Sequence, residues 1–562
     1  MANKIVIMGF GKFLLCLGLA LSISMGYGQM GNDPKRMEGQ IAKCIEKAFS
    51  TSVHIIEYDT LNKTVKEGLS ESDGFSGVVV SAEGHILTVS HAAVPGEVYQ
   101  IRFPDGKRYV AIGLGRIGLQ AGGKDHDLAM LKMTAPGKWP YAQMGNTADL
   151  SIDELLVGIS YPSSFNKLYP NIRVGKLTDL DASDGFITST VKMEPGDSGG
   201  PLFDLQGRVV GIRSFINENE AENFDVPIEL FRKYWTALNI AKDYTSLPRP
   251  DVIPVSKKAY SLNPEKLIDF SDKIKLPENN IITIRSTVGN EKVHLLGTLV
   301  SKGDRAFIIS KNAGVGSAPQ VHMNGRAISL RILHRDREND LIIMESTDPI
   351  GEGIPMDDVI SSSRLETPDL GRFLISDLGG GNRKLGVLGA VAVDLPPDFS
   401  IGYCGASAVY NEGKITFSEV AGQGTAKTPL RKGDQVVKIN DVPIKEAADY
   451  DREFANYLAG DSIRLDLIRD GRAFQAGLYL SGQPTFKHVS FDYPGGRSAR
   501  SDDYKQVLVQ DAAIKPQQCG GAVFDLDGRF VGINIARHSR TSTIITPISI
   551  INELLENYIS TF

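Results

Sequence analysis

Three residues of this chain carry side chains that could act as one acyl-transfer site. His91 follows an apolar run in ILTVSHAA, Asp127 precedes another in HDLAML, and Ser198 lies inside Gly-Asp-Ser-Gly-Gly. A serine hydroxyl is a poor nucleophile near neutral pH and needs an adjacent base. An imidazole can take its proton and return it to the leaving group, and a buried carboxylate can fix the imidazole tautomer and stabilise the imidazolium. Gly196 permits a backbone conformation closed to residues with side chains. That freedom can turn the Gly196 and Ser198 N–H groups toward a developing oxyanion, with Asp197 between them as a further candidate of the hole.

The same segment occurs twice. Residues 195–212 read PGDSGGPLFDLQGRVVGI and residues 516–533 read PQQCGGAVFDLDGRFVGI, identical at 11 of 18 positions. The second copy has Cys519 for Ser198 and Gln517 for Gly196. Further upstream, SKNAGV matches VSHAAV and DRENDLIIME matches GKDHDLAMLK, so Asn312 stands for His91 while Asp340 keeps the aspartate. A cysteine nucleophile still needs a base, and Asn312 cannot serve as one. The expectation is a degenerate copy. A cysteine hydrolase recruiting His322 or His334 is the rival reading, although neither histidine falls at a motif position.

These residues must be positioned by short strands. Runs such as GFSGVVVSAEGHILTVSHAAV and RVVGIRSF, separated by Gly and Asp turns, predict an all-β-dominated chain. IELFRKYWTALNIAK predicts a helix closing the first unit near Tyr244. With 562 residues, several cores are expected. The spacing divides the chain into residues 29–245, a proline-rich linker at 246–275, a second unit at 276–399 and 485–562, and an insert at 400–484. Residues 1–28 read as a secretory signal peptide, with Lys4 and Lys12 before an apolar run shorter than a membrane span requires. An uncleaved anchor is the alternative. Three cysteines remain after the signal, giving no disulfide framework. No metal spacing occurs and no cofactor is called for. A net charge of −6 without a long basic run argues against nucleic acid as a partner.

Through SGVVVSAEGHILTVSHAAV, HDLAMLK, EPGDSGGPLFDLQGRVVGI and NFDVPIE, the first unit resembles a trypsin-like serine protease of the HtrA (Deg) type. The resemblance implies two trypsin-like double β-barrels, the second degenerate. It also implies an exported endopeptidase, periplasmic or secreted, acting on unfolded or misfolded proteins. The family usually has Asn where Asp197 stands, so a buried partner for that carboxylate is expected. Lys192 and Arg213 either face the primary specificity pocket, favouring acidic side chains, or lie on a solvated strand edge. The insert, through LRKGDQVVKIN, resembles a PDZ domain. Tyr403, Cys404, Gly405 and Ala406 fall where that family binds a terminal carboxylate, which implies peptide C-termini as partners; a purely structural insert or a subunit contact is the alternative. A homo-oligomer is left open. A peptide-binding scaffold or chaperone with a silent first unit is the competing function, and the geometry of Gly196 and Asp197 discriminates between the two.

Overall fold

The computed structural model describes residues 33–561 apart from 71–72, 119, 122–123, 166–168, 183–184, 253–265, 289–290, 324, 357–364, 412, 421–428 and 485–488. The segment read as a signal peptide, and part of the predicted linker, lie outside the described residues.

Strands dominate, as the alternation of β-branched runs and Gly turns predicts. In the first unit, strands Ser52–Asp59, Phe75–Val79, His85–Thr88, Leu128–Met133, Arg108–Ile117 and Val98–Arg102 pair in that order, and the last pairs back on the first. A second closed barrel follows from Leu155–Ser160, Asn171–Asp179, Ile187–Ser189, Asn223–Pro227, Val209–Ile216 and Pro201–Phe203. The second unit repeats both. Strands Ile281–Val288, Gln320–Met323, Arg326–Asp336, Leu341–Ser346, Arg305–Lys311 and Glu291–Lys302 form one sheet closed on itself. Strands Phe373–Asp377, Arg383–Leu395, Tyr504–Gln510, Thr543–Pro547, Phe530–Arg537 and Ala522–Phe524 form a closed barrel. The architecture is that of two trypsin-like double barrels.

Between Arg383–Leu395 and Tyr504–Gln510, which pair with each other from Leu388↔Gln510 to Leu395↔Tyr504, lies a separate sheet. It contains Ala406–Asn411, Lys414–Val420, Gln435–Ile439, Ser462–Arg469 and Arg472–Tyr479, with helix Ala447–Phe454. The insert therefore interrupts a hairpin, whose paired strands bring its ends together. Ala406–Asn411 is an edge strand of this sheet.

Three local expectations are corrected. The helix predicted after Pro227 is two short helices, Ile228–Lys233 and Trp235–Leu238, separated by Tyr234 at φ −119°, ψ 22°. Residues 270–275, the end of the predicted linker, pack with Leu276 of the second unit. Phe270 and Leu276 are buried and Arg383 donates to the Ile274 carbonyl at 2.6 Å. The apolar residues Phe270, Ile274 and Leu276 give that stretch a core to join. The helix Pro34–Ala48 was not expected. It buries Met37, Ile41, Cys44, Ile45 and Ala48, at helical spacing. Cys44 Sγ donates to the Asp204 carbonyl in the first unit at 3.2 Å, and Glu38 accepts from Phe373 N in the second at 2.9 Å. One hydrophobic core holds this helix together with residues of both units, including Val157, Ile172, Leu374 and Leu388.

Candidate active site

The first unit brings His91, Asp127 and Ser198 to the junction of its two barrels. His91 follows strand His85–Thr88, Asp127 precedes Leu128–Met133, and these strands pair antiparallel from His85↔Lys132 to Thr88↔Ala129. That pairing sets His91 beside Asp127. His91 Nδ1 lies 2.9 Å from Asp127 Oδ2. The carboxylate also accepts from His91 N at 3.1 Å, Ser90 Oγ at 2.8 Å and Ser214 Oγ at 2.6 Å. Burial alone would push Asp127 up, but hydrogen bonds and the charge of His91, with the two serine hydroxyls, hold it down at about 2. Burial pulls His91 down most, yet the hydrogen bond and charge of Asp127 outweigh it and raise the imidazole above its ordinary value. The Ser198 hydroxyl donates to the Ser214 carbonyl at 3.5 Å. Ser90 and Ser214 were missed in the sequence. Ser90 adjoins His91 and could have been found; Ser214 sits 16 residues beyond the nucleophile on another strand.

The loop around Ser198 is shaped by buried charge. Asp197 is fully buried beside Arg173, with which it pairs. It accepts from Ser160 Oγ at 2.7 Å and Glu194 N at 2.8 Å. The expected partner for its carboxylate is thus Arg173, from strand Asn171–Asp179. Asp197 is corrected as an oxyanion donor: its N–H donates to the Glu194 carbonyl at 3.1 Å, closing a tight turn. Gly196, at φ +95°, lies inside that turn. The N–H groups of Gly196 and Ser198 have no acceptor among the described residues. They are the pair open to an incoming carbonyl oxygen.

The solvated-edge reading of Lys192 and Arg213 does not hold. Arg213 is buried and paired with Asp225 at 2.9 Å; burial pushes Asp225 up to about 6, with the charge of Arg213 and the Ser189 hydroxyl opposing. Lys192 is half-buried and donates to the Asp511 carbonyl of the second unit at 2.7 Å, and burial brings it down to about 8.

The corresponding site of the second unit is filled. Lys311 takes the place of Ser90 and pairs through Nζ with Asp340. It also donates to the Arg500 carbonyl at 2.9 Å and to Tyr504 Oη at 3.0 Å. Asn312 accepts through Oδ1 from Arg335 at 2.6 Å. Cys519 is fully buried and its thiol is pushed up by burial, with Lys311 opposing. His322 and His334 are both exposed on their strands and neither bonds to Cys519.

In the insert, a groove of about 490 Å³ runs between strand Ala406–Asn411 and helix Ala447–Phe454, lined by Tyr403, Cys404, Ala406, Tyr450 and Phe454 among others. Tyr403 is corrected as a backbone donor. Its N–H donates to the Ser481 carbonyl at 2.8 Å, and its own carbonyl accepts from Ser481 N at 3.0 Å. Cys404 and Gly405, the latter at φ +80°, have N–H groups without an acceptor among the described residues. Cys404 Sγ is buried and donates to the Ala406 carbonyl at 3.5 Å.

Comparison with known proteins fits this geometry. The model of the trypsin-like peptidase domain family matches residues 75–212. A probable periplasmic serine endoprotease, DegP-like, of Marinomonas sp. (strain MWYL1) is 22% identical over 413 residues, 70% of this chain and 77% of that protein. The DegP-like protein of Pseudomonas putida (strain F1) is 23% identical over 414 residues. Serine protease HTRA1 of Xenopus tropicalis is 30% identical over 261 residues, which spans 45% of this chain and about half, 55%, of that relative. The chain carries a trypsin-like peptidase domain, is homologous over much of its length to the DegP/HtrA serine endoproteases, and is a serine endopeptidase.

Proposed function

We propose that this is an exported endopeptidase of HtrA type that hydrolyses peptide bonds in unfolded or misfolded proteins through Ser198, His91 and Asp127. The observation that carries the reading is the His91–Asp127 pair, joined through Ser214 to Ser198, whose loop leaves the Gly196 and Ser198 N–H groups unpaired. Ser198 Oγ attacks the scissile carbonyl carbon as its proton passes to the free nitrogen of His91. Asp127, anchored by Ser90 and Ser214, holds the Nδ1–H tautomer and stabilises the imidazolium. Gly196 and Ser198 N–H receive the oxyanion. His91 then protonates the leaving amine; water, deprotonated by the same imidazole, attacks the acyl carbon, and the Ser198 Oγ–acyl bond breaks as the imidazolium returns its proton to Oγ.

The second unit supplies no chemistry in this reading. Its insert recruits substrate, taking an extended peptide as an added strand along Ala406–Asn411, with Cys404 and Gly405 N–H on the terminal carboxylate. Export is supported by the names of the periplasmic relatives. The test is cleavage of unfolded casein by the signal-free protein beside Ser198→Ala. Loss of cleavage only in the variant supports the reading. Equal cleavage by both overturns the assignment of Ser198, and cleavage by neither favours a peptide-binding scaffold.

A further inference from the structure

The turn joining strands Phe530–Arg537 and Thr543–Pro547 of the second unit is buried although it lies at a barrel rim. His538, Ser539, Arg540, Thr541 and Ser542 are each at most 3% exposed. Its contacts reach into the first unit, beside the Ser198 loop. Thr541 Oγ1 donates to Glu194 Oε2 at 2.8 Å, Ser164 Oγ donates to the other carboxylate oxygen, and the Ser539 hydroxyl and the Arg173 charge also act on this carboxylate. His538 lies between two carbonyl oxygens, with Nε2 2.7 Å from Ser164 O and Nδ1 2.7 Å from Ser501 O. Arg537 pairs with Glu220 at 3.0 Å, and Arg540 donates to the Asn219 carbonyl at 3.1 Å. Glu194 is the hinge of this arrangement. Its N–H and carbonyl both bond to Asp197, so the position of Glu194 sets the turn that contains Gly196 and leads into Ser198.

This inference rests on the endopeptidase reading above and deepens it. We infer that Thr541 is a positioning residue for the reaction at Ser198, and that the catalytically silent second unit acts as a fixed brace for the first unit's oxyanion loop. A buried carboxylate that loses a hydrogen-bond donor is left undersatisfied and is drawn toward water. Movement of Glu194 would loosen its two bonds to Asp197 and let the Gly196 and Ser198 amides leave the geometry an oxyanion requires. The duplicated unit then has a use that needs none of the residues it has lost.

The experiment compares full-length protein with Thr541→Val, which keeps the shape and removes the hydroxyl, and Thr541→Ser, which keeps the hydroxyl. Rates on unfolded casein are separated into kcat and KM, and the labelling of Ser198 by a fluorophosphonate is timed. Thr541→Val should lower kcat about tenfold or more, as expected for a lost hydrogen bond to a buried charged group, and slow labelling in parallel with KM nearly unchanged. Thr541→Ser should recover most of the rate. Thr541→Ala serves if the valine variant does not fold. An active wild type with an equally active Thr541→Val overturns the brace alone, as does an equal loss in the valine and serine variants. A wild type that neither cleaves casein nor is labelled overturns the endopeptidase reading, and the brace with it.

Discussion

The loops at 195–200 and 516–521 share their outer scaffold and differ at their centre. Ser76 N donates to the Ser198 carbonyl at 2.9 Å, and Leu296 N donates to the Cys519 carbonyl at 3.0 Å. Gly199 N reaches the Arg213 carbonyl at 2.8 Å, and Gly520 N reaches the Asn534 carbonyl at 2.7 Å. Both glycines are left-handed, at φ +83° and +94°, and a Cβ at either would strike backbone at about 2 Å, Ser76 O at 2.2 Å or Leu296 O at 1.8 Å. Inside this shared frame the loops part. Around Gly196 the chain leaves two N–H groups open. At 516–518 the turn is kept, with Gln518 N on the Lys515 carbonyl as Asp197 N is on that of Glu194, but Cys519 N is taken by the Pro516 carbonyl at 3.2 Å where Ser198 N is open. The strands that carry a site and the amides that work in it are therefore separable. A copy can keep its fold while the amide at its nucleophile position is consumed by its own backbone.

Four substitutions test that contrast, from the largest expected effect to the smallest. Ser198→Ala should cut turnover by about 10⁴-fold or more with the melting curve unchanged, measured on casein and by circular dichroism. Asp127→Asn should cost about 10⁴-fold in kcat by favouring the wrong tautomer of His91. Its pH profile should move as well. His91 acts as a base when neutral and its pKa is raised by Asp127, so kcat/KM of the wild type should rise through a midpoint above 6.5, and that midpoint should fall in Asp127→Asn. The linked stabilities have opposite signs. That of raised His91 is complete below its unfolded pKa and fades as pH rises through the folded one. That of Asp127 is present above 3.8 and is lost as pH falls toward about 2. Gly196→Gln, which copies Gln517 into the first loop, should lower kcat by about 10²- to 10³-fold, the loss expected for one oxyanion donor. Cys519→Ala should leave casein cleavage within about twofold, because a small apolar side chain replaces a buried thiol that the reaction does not use.

Lys311→Met probes stability instead of rate. It leaves Asp340 buried without its cation, which should cost about 3–5 kcal/mol in urea denaturation.

Much of this contrast can be read in the chain, because it is local. His91, Asp127 and Ser198 each sit in a short motif, and the offset repeat exposes Asn312, Gln517 and Cys519 by alignment. The fold class follows from strand-length runs and turn residues. What could not be read depends on side-chain direction across distant strands. Asp197 finds Arg173 from 24 residues upstream, and the inward direction of Lys311 is set by barrel closure, although it adjoins Asn312. The helix Pro34–Ala48 left a signal, apolar residues at Met37, Ile41, Cys44 and Ala48, but its two faces join units far apart in sequence. The docking of 537–541 against Glu194, Ser164 and Glu220 left none, since each partner alone is an ordinary polar residue near a turn.

The most direct test of the central claim is to label the full-length protein with a fluorophosphonate and map the adduct by mass spectrometry while following casein cleavage. A single adduct on Ser198, none between residues 516 and 521, and cleavage lost in proportion to labelling is the predicted result. Labelling in the second loop, or cleavage that persists with Ser198 fully modified, would contradict the assignment of one working site and one silent copy.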